Sequence, residues 1–139
     1  MEKELEIRAI PKVEMLFEEN LPHFNRLVME GKAPDLKNAN LSGLDLRKAR
    51  LKGLDLSGTY LRNTNLRGVD LSGCDLQGAS LQGALISGAL FPDDVPAEEI
   101  RFSIEYGTRI RVAPTNKIIR KMEELLVEMR RLLQSVGKE

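Results

Sequence analysis

Two side chains in this sequence are of the kinds that most often act as bases or nucleophiles: the only histidine, His23, and the only cysteine, Cys74. Each would need partner groups converging on it to do chemistry. His23 follows Pro22, and no motif places a serine or a cysteine beside it as nucleophile, so it reads as a surface or cap-packing residue. Cys74 has no second cysteine to pair with and reads as a buried structural thiol. A third grouping is Asp35, Asp55 and Asp75, spaced by twenty residues. Brought together, such carboxylates would suit a hard cation. No second ligand set accompanies them, however, and aspartate at a bend accepts hydrogen bonds from backbone amides. The expectation is a chain with no catalytic residues, no metal ligands and no cofactor.

The elements that carry these residues are set by a period of five. A large apolar residue returns at Leu36, Leu41, Leu46, Leu51, Leu56, Leu61, Leu66, Leu71, Leu76, Leu81, Ile86 and Phe91. Five residues advance an α-helix by about 140° beyond a full turn, which scatters them around the cylinder, and an odd period alternates faces of a strand. The chain must bend once per repeat and wind into a coil that collects every fifth side chain inside. Two residues before each centre stand small or apolar residues, Ala39, Leu44, Ala49, Leu54, Thr59, Thr64, Val69, Cys74, Ala79, Ala84 and Ala89 among them, which also face inward. After the centre comes a polar residue and then glycine, as in Ser57-Gly58 and Arg67-Gly68. Those glycines mark corners; none follows a strand and opens a helix as a phosphate loop would.

Ala39-Asn40-Leu41-Ser42-Gly43 and Val69-Asp70-Leu71-Ser72-Gly73 resemble the A(D/N)LxG unit of the pentapeptide-repeat family, and the resemblance covers residues 34–92. It implies a mainly β solenoid, a right-handed quadrilateral β-helix with four repeats to a coil. Twelve centres then make about three coils, a stack roughly 14 Å tall. On that geometry Asp35, Asp55 and Asp75 share a column, and so do Arg47 and Arg67.

Coil ends expose unpaired backbone groups and bare leucines, so the flanks are expected to be covers. Asn20, Pro22, then Phe24, Leu27 and Val28, then Gly31 predict a short helix, with an earlier helical piece through Val13, Leu16 and Phe17. Leu44 and Leu54 in the first coil suit contact with that cap. On the other side Pro96, Glu98, Glu99 and Gly107 mark a helix over 96–107, followed by extended chain. The alternation of Ile100, Phe102, Ile104, Tyr106, Ile110 and Val112 suits a strand as the alternative. Either element is expected to cover more than half of Leu85 and Leu90, whose outward positions hold Asp or Asn in most other repeats.

Thr115 is a good N-cap for a helix ending at Gly137. Within it Ile118, Met122, Leu125, Met129, Leu132 and Val136 form a heptad seam that Ile119, Leu126 and Leu133 widen. A helix of this length must pack on something. Ile118, Met122, Leu125, Leu126, Met129, Leu132, Leu133 and Val136 are therefore the candidate protein interface, for a second copy of the chain or another protein. Docking along its own coil is the alternative, opposed by polar outward positions there. The expected organisation is an N-terminal helical cap at 1–33, the repeat coil at 34–92, a C-terminal capping segment at 93–114 and an amphipathic helix at 115–139.

Composition narrows the partners. Formal charge is zero, with 42% hydrophobic and 30% charged residues in 139. No apolar run reaches membrane-span length, and Met1 to Glu6 lack a signal-peptide pattern, so a cytoplasmic chain is expected. Some pentapeptide-repeat proteins imitate DNA and bind type II topoisomerases such as gyrase. A mimic of this height needs on the order of eight surplus acidic groups, whereas residues 34–92 hold five acidic and seven basic ones. Nucleic acid as partner is opposed by the balanced overall charge and by Tyr60 being the one interleaved aromatic. Membrane attachment is opposed by the mixed charges on the terminal helix. The function read from these residues is a non-enzymatic scaffold displaying an amphipathic helix for self-association or partner binding; the gyrase-directed mimic is the alternative, and an enzyme with no visible site a remote one.

Overall fold

A computed structural model describes residues 11–137, except for the side chains of 114–117. The acidic start, Met1 to Glu6, lies outside the described residues. Along the chain come two 3-10 turns, Glu14–Leu16 and Glu18–Asn20, then helix α1 (Leu21–Met29), the repeats, helix α2 (Ala97–Tyr106) and helix α3 (Pro114–Val136).

The five-residue period produces the dry interior it demands. Every leucine centre from Leu36 to Leu81 is buried, Leu46, Leu56, Leu66 and Leu76 completely, while Ile86 and Phe91 at the last coil are partly buried. From Leu36 to Ile86 each centre's carbonyl accepts from the amide three residues on, as in Ala49 to Leu46 at 3.0 Å and Ala79 to Leu76 at 3.0 Å. The third residue of most of these turns is a glycine with positive φ, and Asn38 and Asn63 take that conformation where glycine is missing. Lys48 stands at another such corner without a positive φ. There Asn25 of α1 clamps the loop, its Nδ2 donating to the Lys48 carbonyl and its Oδ1 accepting from the Arg50 amide, each at 2.8 Å.

Twenty residues separate the two partners of each parallel bridge: Asn40 to Tyr60 to Ser80, Asp45 to Asn65 to Leu85, Asp55 to Asp75, and Asp70 to Leu90. These four columns fix the turn of the coil at four repeats. The expected strands shrink to these isolated bridges among the described residues, because two of every five residues are spent on the corner. Polar atoms in the inward positions stitch neighbouring coils. Thr64 Oγ1 donates to the Leu41 carbonyl at 2.9 Å and Cys74 Sγ to the Leu51 carbonyl at 2.9 Å.

The C-terminal segment continues the hydrogen-bonding slots of the coil. Gly58, Leu61 and Asn63 donate their amides to the carbonyls of Gln77, Ser80 and Gln82. One turn later the equivalent amides of Gly78, Leu81 and Gly83 donate to the Ile110 carbonyl (2.8 Å), Ser103 Oγ (2.8 Å) and the Ile104 carbonyl (3.1 Å). Residues 96–107 thus resolve as helix, closed by Gly107 in the left-handed region, and extended chain follows. Glu99 on α2 pairs with Arg111 on that chain, and the Val112 amide donates to Gln77 Oε1 at 2.8 Å.

Several sequence expectations are corrected. Leu90 is 59% exposed and Leu85 49%, so the cover expected over both fails for Leu90 and barely reaches half for Leu85. Both stand at bridge positions of the coil, whereas α2 lies at its end, where it accepts from the amides of Leu81 and Gly83. Thr115 is not the N-cap of α3: Ala113 holds that place with Pro114 as first residue, whose fixed φ suits a helix start. The early helical piece is present, as a pair of 3-10 turns. Asn20 occupies the N-cap of α1, yet its side-chain Nδ2 donates back to the Glu14 carbonyl at 2.8 Å and its side chain makes no capping bond.

Candidate protein-interaction site

Helix α3 is amphipathic around the seam of Ile118, Met122, Leu125, Met129, Leu132 and Val136, and these six side chains are between 48% and 70% exposed. Leu126 and Leu133 beside them are exposed as well. The structure thus brings all eight candidate residues onto one element without laying that element along the coil. A contact made near its start is electrostatic: Arg120 Nη2 lies 3.3 Å from Asp94 Oδ1. The Asp94 backbone carbonyl also accepts from the Ala113 amide at 2.9 Å. Asp94 and Arg120 escaped sequence reasoning, although Arg120 falls on the polar side of the heptad and an acidic pair follows Pro92.

Groups that might have done chemistry are spent on the fold. The Oδ1 atoms of Asp35, Asp55 and Asp75 each accept from the backbone amide two residues on, at 3.0 Å. Asp55 is held below the usual carboxylate range: burial works to raise it, and the Ser57 hydroxyl and amide together with Lys37 outweigh that. Asp45 drops to about 2 through its hydrogen bonds with Arg47, whose Nη2 lies 2.7 Å from Asp45 Oδ2. Burial pushes the Cys74 thiol up to about 11, the opposite of what a nucleophile needs. His23 packs, half-buried, in α1.

The basic column is similarly occupied. Arg47 is paired with Asp45, and Arg67 Nε donates to Asn65 Oδ1 at 3.1 Å. Tyr60, the aromatic residue available for stacking on a base, carries Arg109 over its ring at 4.4 Å, and that guanidinium also donates to the Gly78 carbonyl at 2.7 Å. Among the described residues no helix is long and apolar enough to cross a membrane.

The decisive observation is the register: inward leucines every five residues, an Asp or Asn accepting an amide bond before most of them, and a coil that closes every twenty. Pentapeptide repeats match the chain in eight copies, over residues 35–53 and 55–91. Residues 35–91 are therefore pentapeptide repeats. Such repeats imply a β-helix solenoid; among the described residues they form stacked corners and single parallel bridges, with helices at the flanks. Neither the comparison with curated proteins nor that with solved structures gave a match.

Proposed function

We propose that this protein is a non-enzymatic scaffold: a right-handed coil of about three turns that presents α3 for association with a second copy of itself. The observation that carries the reading is the exposure of the whole seam from Ile118 to Val136 on a helix too apolar to remain bare in water. Burying that face supplies the association energy, at about 25 cal/mol per Å² before the entropic cost of joining two molecules. The rigid coil then fixes where its polar sides stand relative to the joined helices. A different helical protein is the competing occupant of the same face.

The test is to cut the chain before Thr115 and measure mass by light scattering. An intact chain that associates and a shortened one that is monomeric support self-association. A monomeric intact chain, or a shortened chain that still associates, defeats it. A gyrase supercoiling assay with added protein addresses the DNA-mimic alternative, which the basic surplus on residues 34–92 opposes.

A further inference from the structure

We infer that two copies of α3 pair antiparallel, with Lys121 of each helix beside Glu128 of the other. The inference rests on the self-association proposed above and adds the orientation. Spacings of four and three assign Ile118, Leu125 and Leu132 to heptad position d and Met122, Met129 and Val136 to position a. The flanks of the seam then differ in chemistry. Position e holds Ile119, Leu126 and Leu133, all exposed in the single chain, whereas position g holds Lys121, Glu128 and Ser135.

Orientation decides which flank meets which. In a parallel pair the g residue of one helix faces the e residue five positions on in the other, which sets Lys121 against Leu126 and Glu128 against Leu133. Each charge would lose water to a leucine and gain no partner. In an antiparallel pair g faces g and e faces e. In the register that sets Ile118 against Met129 and Met122 against Leu125, Lys121 meets Glu128 twice by symmetry on one rim of the seam, and Ile119 meets Leu126 twice on the other. Within the single chain Lys121 reaches Glu124 at 3.7 Å, and both side chains are largely exposed, so the lysine can exchange that contact for one across the pair at little cost.

The experiment is a charge-reversal cycle on the full-length chain, read as the dissociation constant by sedimentation, with helix content followed by circular dichroism. Lys121→Glu alone and Glu128→Lys alone each weaken association about tenfold, since each turns two attractive pairs into repulsive ones, and the double reversal restores it. A second measurement places a spin label at Ser135→Cys in a Cys74→Ala background. Antiparallel helices hold the two labels about 30 Å apart along the axis, and parallel helices bring them within about 15 Å. Single reversals without effect, or labels within the shorter distance, overturn the antiparallel arrangement while leaving self-association standing. A wild-type chain that is monomeric throughout overturns the self-association on which it rests.

Discussion

Arg120, in the second turn of α3, lies 3.3 Å from the carboxylate of Asp94, which is 7% exposed at the far side of the repeats. The pair lacks hydrogen-bond geometry at Asp94 Oδ1, so its attraction is mainly that of charge. A buried carboxylate beside one arginine makes the two partners unequal. Removing the arginine strands a charge away from water, while neutralising the acid removes the need for a partner. Arg120→Ala is expected to cost about 1–2 kcal/mol in urea unfolding, discounted because the arginine itself is 40% exposed. Asp94→Asn is expected to cost less. Equal losses would mean that the two residues are not coupled.

Leu66 and Leu90 are both leucines of the coil, yet one is enclosed and the other lies at a bridge on its outside. Leu66→Ala should therefore lower stability by about 3 kcal/mol through lost burial and a cavity between coils. Leu90→Ser should stay within about 0.5 kcal/mol of the parent. Denaturant midpoints of the two variants, at unchanged slope, make the comparison.

Gly58 combines two demands. Its φ is +68°, and a Cβ built there would stand 1.9 Å from Asn38 Oδ1 of the coil before it. Gly43, with φ +75°, faces open space. Gly58→Ala should thus cost more than Gly43→Ala, for which left-handed strain alone gives about 1 kcal/mol. Adding Asn38→Gly to Gly58→Ala should recover the difference. Equal costs for the two single variants would show that the Asn38 side chain swings away freely.

Cys74 makes stability sensitive to alkali. Its thiol titrates at about 11 in the folded chain against 9 for an unperturbed one, since burial disfavours the thiolate. A raised folded value means that the contribution is complete below pH 9 and is lost as pH rises through 11. The wild type should lose up to about 2 kcal/mol more than Cys74→Ala between those limits. Alanine fills the same inward position at Ala79 and Ala84, so the variant should fold. Parallel pH profiles for the two chains would refute this.

How far the sequence revealed the molecule depends on how local the cause was. Leu46 and Leu66 announce the interior because one side chain in five must be dry, and no distant residue alters that. The twenty-residue closure was legible only through the family resemblance; the bridges from Asn40 to Tyr60 and Ser80 now display it. Leu90 was misjudged because its cover depends on whether α2 crosses the end or the flank of the coil, a matter of direction that no local pattern encodes. Thr115 is a good N-cap by residue type, yet the helix begins two residues earlier than such a cap would give, with Ala113 as N-cap and Pro114 first in the helix. Asn25, clamping Lys48 and Arg50, carried no signal in a sequence read one segment at a time. The candidate seam was fully legible as a pattern, and its exposure required the fold.

The amides of Gly78, Leu81 and Gly83 find in Ile110, Ser103 and Ile104 the acceptors that a further turn of repeats would have offered. The lid is therefore interchangeable with another storey of the tower. Such a molecule can be lengthened or shortened only in whole storeys: twenty inserted residues lift the lid and return it facing the same way, whereas five turn it a quarter of the way round, onto donors it was never shaped to meet.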